Sequence, residues 1–142
     1  MFVIIMGCGR VGARVAQMLT VAGHEVTVMD ISSSAFSRLG PEFKGVTVLG
    51  DATDQEVLKR AGIERADAFL AATQGDNRNI MASQIAKHVF GVKRVVTRIY
   101  DPLRSDTFHD LGLQAISPTI IGANAFYEEL TGQPASSVAL PG

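Results

Sequence analysis

The sequence predicts an α/β fold, a doubly wound parallel sheet of about six strands with helices on both faces, and three observations carry that expectation. Short apolar runs alternate along the 142 residues with capped, amphipathic stretches of helical length. The first run, Phe2-Val3-Ile4-Ile5-Met6, leads straight into Gly7-Cys8-Gly9-Arg10-Val11-Gly12, a G-x-G-x-x-G turn from strand to helix. The second run closes on an acid, Asp30, 18 positions beyond Gly12. Together these mark a Rossmann-like sheet.

The elements follow in order. After the first strand, Phe2–Met6, a helix is expected from about Arg10 to Ala22, with Gly23 beyond its end. Its apolar face reads as Val11, Val15, Met18, Leu19 and Ala22. His24 and Glu25 lead into a second strand, Val26–Met29. Ser32, Ser33 and Ser34 offer N-caps to a short helix carrying Phe36 and Leu39, which Gly40-Pro41 stops. A third strand, Val46–Leu49, precedes Gly50-Asp51-Ala52, and Thr53-Asp54-Gln55-Glu56 reads as a capping box for a helix running to Gly62. The fourth strand, Ala68–Ala72, is apolar throughout, as a central parallel strand is.

Thr73-Gln74-Gly75-Asp76 opens a longer helix whose apolar residues are Ile80, Met81, Ile85, Ala86, Val89 and Phe90, and Gly91 ends it. The fifth strand is Arg94–Ile99. Asp101 and Pro102 supply an N-cap and first position for a helix with Leu103 and Phe108. A short sixth strand falls near Gln114–Ile116, and Ser117-Pro118 starts a last helix that Gly132-Gln133-Pro134 terminates. One domain over residues 1–132 is expected, with 133–142 as a disordered tail or linker.

Composition narrows the function. Thirteen basic and fourteen acidic residues leave no basic field for nucleic acid or an anionic membrane surface. One cysteine excludes an internal disulfide framework, and no apolar run approaches the roughly 20 residues of a membrane span. The opening run is too short for a signal peptide, so a cytoplasmic protein is expected.

In such a sheet a ligand lies beyond the carboxyl ends of the strands. Gly7, Gly9 and Gly12 admit a tight turn, a phosphate and a closely packed helix, whose N-terminal N–H groups at Arg10 and Val11 face the phosphates. The Arg10 guanidinium adds charge-assisted bonds to a phosphate. Asp30 suits ribose hydroxyls and repels a 2′-phosphate, and the next cation is Arg38, so NADP is disfavoured. Asp51, with Ala52 beside it, is placed to accept a bond from an adenine amino group, whereas Asp54 reads as a helix cap. Thr73 closes the fourth strand at the nicotinamide or terminal-phosphate end, and Arg98, late in the fifth strand, is a cation that wants an anion or a partner carboxylate. His24, His88 and His109 lack metal-ligand spacing, and Cys8 reads as a small packing residue. No strand-end triad is apparent. The last helix spreads Ile120, Ile121, Ala123, Phe126, Tyr127 and Leu130 over more than one face, which calls for a second subunit as cover.

These motifs, together with His24-Glu25-Val26, Gly50-Asp51-Ala52-Thr53, Thr73 with Asp76 and Asn79, and Arg98 with Asp101-Pro102, resemble the regulators of potassium conductance (the RCK, TrkA-N or KTN domain) over residues 1–132. The resemblance implies binding of NAD(H) or ATP/ADP, with the glycines and Arg10 on phosphates, Asp30 on the ribose, Asp51 on adenine, and Thr73 and Arg98 at the far end. It implies a homodimer built through the last helix, assembling into a ring beneath a membrane potassium channel or transporter. It also implies a C-terminal regulatory domain after that helix, unless the chain is a single-domain regulator. The rival reading is the cofactor-binding half of an NAD-dependent oxidoreductase, against which weighs the want of a placed acid or base.

Overall fold

The computed structural model of the chain describes residues 1–101 and 105–140. Every apolar run forms a strand: β1 Phe2–Met6, β2 Glu25–Asp30, β3 Val46–Leu49, β4 Ala68–Ala71, β5 Arg94–Arg98 and β6 Gln114–Ile116. They pair in the order β3-β2-β1-β4-β5-β6, all parallel. The order reverses between β1 and β4, which opens the crevice that such sheets use for ligands.

The helices are α1 Arg10–Val21, α2 Gln55–Arg60, α3 Asp76–Gln84, α4 Ser105–Asp110 and α5 Pro118–Thr131. Alternate residues of β1 feed two cores. Phe2, Ile4 and Met6 pack with Leu58 of α2, Ala82 of α3 and Phe108 of α4. Val3 and Ile5 pack on the opposite face with Ala13 and Ala16 of α1 and with Ala35 and Leu39.

Several elements depart from expectation, each for a local reason. The face of α1 on the sheet is Gly12, Ala13 and Ala16, whereas Val11, Met18 and Ala22 are exposed and Val15 and Leu19 half-buried. Small residues let this helix approach closely, so the bulky ones flank the contact. The helix expected after the serines is a 3-10 helix, Ser33–Leu39, ended by Gly40 at φ 75°. The N-cap of α2 is Asp54, whose carboxylate accepts from Glu56 N–H; Thr53 instead bonds Asp51. The α3 ladder relaxes into a π turn over Ile85–Val89, and the helix buries Asn79, Ala82, Ser83 and Ala86 while exposing Met81 and Val89. Pro102 and Leu103 lie outside the described residues. Ser117 caps α5 as expected, accepting from Ile120 N–H, and Gly132 ends it at φ 68°. The tail, expected to be disordered, holds a 3-10 turn at Ala135–Ser137, tied to α5 where Ala135 N–H donates to Glu128.

The two faces are unequally covered. On the α1 face, Leu70, Val96 and Ile116 of β4, β5 and β6 line an open apolar groove with Val11, Val15 and Leu19. Helix α5 leaves from the end of that groove and buries none of its residues, with Phe126 73% and Leu130 85% exposed. No helix among the described residues is long and apolar enough to cross a membrane.

Candidate functional site

The glycine turn is built by contact. Gly7 has φ +107°, its N–H donates to Met29 O at 2.8 Å, and a Cβ there would meet the Ala72 carbonyl at 2.9 Å. A Cβ on Gly12 would fall 1.9 Å from Gly7 O, so the helix can sit against the turn only because residue 12 is glycine. Gly9 has open space on its Cβ side and caps α1. Gly7, Gly9, Arg10 and Val11 line the crevice, a space of about 900 Å³; Gly12 lies behind them as the packing residue.

Asp30, at the end of β2, is pinned by two backbone donors. Cys8 N–H reaches Oδ2 at 2.8 Å and Ser32 N–H reaches Oδ1 at 2.9 Å. The acid thereby ties the glycine turn to the neighbouring loop, with the carboxylate still on the crevice wall. Arg38 lies on the same wall and donates from Nη1 to Cys8 O at 3.3 Å. Cys8 itself is fully buried; burial first, and the Asp30 charge second, push its thiol pKa up, against a smaller lowering by Arg38. That is a packing residue's environment.

Asp51 follows β3, as expected, and its side chain is held by Thr53 and Arg78. Gly50 and Ala52 line the crevice, but Asp51 does not. Its Oδ1 accepts from Thr53 N–H at 2.9 Å, from the Thr53 hydroxyl at 2.7 Å and from Arg78 Nη2 at 3.2 Å. The Thr53 bonds, then the Arg78 charge, hold its carboxyl below the ordinary range against the opposing effect of burial. The group that reaches the crevice from this pair is Arg78.

The far wall is organised by Asn79, which is fully buried. Its Oδ1 accepts from Thr73 N–H at 3.0 Å and from the Thr73 hydroxyl at 2.6 Å. Its Nδ2 donates to Thr73 O at 3.0 Å and to Arg98 O at 3.1 Å. One amide thus joins the ends of β4 and β5 and sets both Thr73 and Arg98 on the lining. Asp76 adds the next segment, accepting from Tyr100 N–H at 2.8 Å and Asp101 N–H at 3.1 Å. Arg98 lies over the Tyr100 ring, 4.3 Å from its centroid, and donates to its hydroxyl at 2.7 Å.

Arg10, Arg38, Arg78 and Arg98 therefore line one crevice in which Asp30 is the acid. Such a surface suits a polyanion that also carries hydroxyls. Arg38, Arg78 and Tyr100 escape sequence reasoning as site residues, and Asn79 enters it only within the motif of Thr73, Asp76 and Asn79, with no role of its own. The available signal was polar residues on the inward face of α3, where Asn79 and Ser83 interrupt the apolar pattern. Among the described residues no group of three or more His, Cys, Asp or Glu could hold a metal ion.

The topology, the turn and the acid at the end of β2 define a Rossmann-type domain of the nucleotide-binding class. The TrkA-N domain family model matches residues 3–118, and the chain belongs to that family. The Trk system potassium uptake protein TrkA of Streptomyces coelicolor is 47% identical over 117 residues, which is 82% of this chain and 52% of that protein. The chain thus spans about half the length of that curated relative, and 65% of a TrkA homolog from Pyrococcus abyssi that is 36% identical over 99% of this chain. Among solved structures, the GsuK RCK domain superposes with a TM-score of 0.80 at 27% identity, covering 92% of this chain and 28% of that one. The GsuK channel bound to NAD superposes with a TM-score of 0.79 at 28% identity, over 91% of this chain and 23% of that one. GsuK bound to ADP matches equally well, with a TM-score of 0.79 at 27% identity over 92% of this chain and 34% of that one.

Proposed function

We propose that the domain is a cytoplasmic, non-enzymatic adenine-nucleotide sensor that regulates a membrane potassium channel or transporter. The observation that carries this reading is the crevice itself, with four arginines and a fixed Asp30 around an open glycine turn. The GsuK structures with NAD and ADP and the naming of the TrkA relatives point the same way. The ligand is NAD(H) or ATP/ADP, with phosphates at Gly7, Gly9, Arg10 and Val11, the ribose at Asp30, and Thr73 and Arg98 at the far end. Asp51 and Ala52 bound the adenine side, Ala52 directly and Asp51 through Arg78. NADP is disfavoured by the Asp30 charge.

The exposed face of α5 and the open groove beside α1 favour a homodimer, in which one protomer's α5 covers its partner, as the unit of a larger ring. Regulation then follows from differential binding: a nucleotide shifts the assembly only as far as it prefers one arrangement of subunits. Residues 1–132 form the sensing domain, with 133–142 as a tail or linker.

A thermal-shift panel of AMP, ADP, ATP, NAD, NADH and NADP tests this reading. Selective ligands at about 100 times their dissociation constant stabilise by roughly 2.7 kcal/mol, an easily resolved shift. A flat response to all six would refute it. Turnover of NADH with an oxoacid would favour the oxidoreductase instead.

A further inference from the structure

The Arg78–Asp51 ion pair stands at the edge of the crevice, with Arg78 on its lining and Asp51 behind. Asp51 follows β3, whereas Arg78 lies in the first turn of α3, after β4, and β2 and β1 stand between those strands in the sheet. The 3.2 Å contact from Arg78 Nη2 to Asp51 Oδ1 therefore joins the segment after β3 to the start of α3, two elements whose preceding strands are not neighbours in the sheet. The Asp51 end of the pair is fixed, since Thr53 holds the same Asp51 oxygen with two bonds, and Arg78, its side chain 41% exposed, is held at its tip by that carboxylate.

The wall next to this bridge is unlike the rest of the crevice. Gly50 and Ala52 flank Asp51, and Ile31, 60% exposed, follows Asp30. These residues offer apolar contact and backbone, with no charged side chain among them. The phosphate groups have their own partners at Gly9 and Arg10, at the N-terminus of α1. What remains near Arg78 suits a flat, weakly polar ring. A guanidinium is planar and stacks on aromatic faces, and a pinned one gives up little rotamer freedom when it does so. Arg78 Nε is buried without a hydrogen-bond partner, so the group is not secured through its inner edge.

We infer that Arg78 is a base clamp: Asp51 holds its guanidinium at the crevice lining, where its plane covers the nucleobase of the bound nucleotide. This inference rests on the adenine-nucleotide reading above. Arg78 then selects for the base and is indifferent to the number of phosphates, which fall to Arg10. Asp51 serves as the positioning residue behind it, not as the base's direct partner.

Isothermal titration of the full chain with AMP, ADP and NAD separates the possibilities. Arg78→Ala is expected to weaken all three by a similar factor, about tenfold. Arg78→Lys keeps the cation and can keep the Asp51 pair but lacks the plane, so its affinities should stay near those of Arg78→Ala. A loss that grows from AMP to ADP would move Arg78 to the phosphates and overturn the clamp, as would unchanged affinity or full rescue by lysine. Thermal melts of both variants confirm that they fold. Wild-type protein that binds none of the three ligands would overturn the nucleotide reading and the clamp together, whereas normal wild-type binding with unaffected variants overturns the clamp alone.

Discussion

Replacing Asn79 is the sharpest perturbation of the site's architecture. Its amide makes four hydrogen bonds, to Thr73 N–H, the Thr73 hydroxyl, Thr73 O and Arg98 O, at 3.0, 2.6, 3.0 and 3.1 Å. Asn79→Ala removes all four and leaves three backbone groups without that partner. The Thr73 hydroxyl keeps a 3.4 Å contact with Gly75 O and still accepts from Gly75 N–H at 3.2 Å. At about 1 kcal/mol for each net hydrogen bond, with an added penalty for groups left dry, the loss comes to roughly 4–5 kcal/mol. For a chain of this length that lowers Tm by about 15 °C. Urea denaturation followed by circular dichroism measures it, with the m-value as the check on two-state behaviour. Asn79→Asp is the informative companion. It keeps the acceptor for Thr73 but sets a carboxylate oxygen against two carbonyl oxygens. Its destabilisation should therefore ease on acidification, as a protonated acid regains one donor. A loss below about 1 kcal/mol for Asn79→Ala would refute the view that this amide holds the two strand ends together.

Other outcomes follow from the same geometry. Gly12→Ala should destabilise by about 1–3 kcal/mol despite alanine's higher helix propensity, because its Cβ would sit 1.9 Å from Gly7 O; unchanged stability in a urea melt would contradict the close packing. Asp51 has a lowered folded pKa, so it contributes stability that is present above the usual carboxylate value and lost as pH falls through the folded one. Asp51→Asn should flatten the stability profile below about pH 4, and an identical acid limb would remove Asp51 from that account. Cys8 is fully buried with a raised pKa, so a thiol reagent such as DTNB should react only on unfolding; rapid stoichiometric labelling of native protein would contradict this placement.

The sheet was legible because parallel strands buried on both faces leave unbroken apolar runs, and β1 is buried at all five positions. The glycine turn, Asp30 and the Ser117-Pro118 start of α5 were legible because local chemistry decides them. The helix faces were not. Apolar periodicity assumes that bulky residues face the core, yet α1 meets the sheet through Gly12, Ala13 and Ala16 and turns Met18 outward. Helix α3 likewise spends its inward face on Asn79 and Ser83, whose partners are far along the chain. The partners of Asp51 were not legible for a related reason. Its position after β3 is evident from sequence, but its capture by Thr53 and Arg78 depends on side-chain direction, which spacing along the chain does not encode.

The contact of Gly12 with Gly7 has a mechanical consequence. Gly7 is hemmed in by Ala72 and Gly12 by Gly7 itself, so the β1–α1 side of the crevice has no slack in which to move. The opposite side is held instead by hydrogen bonds, from Asn79 Nδ2 to Thr73 O and Arg98 O and from the Tyr100 and Asp101 N–H groups to the Asp76 carboxylate. The crevice thus stands between one wall fixed by steric contact and another fixed by polar bonds, so a single side-chain substitution can loosen the second wall and leave the first in place.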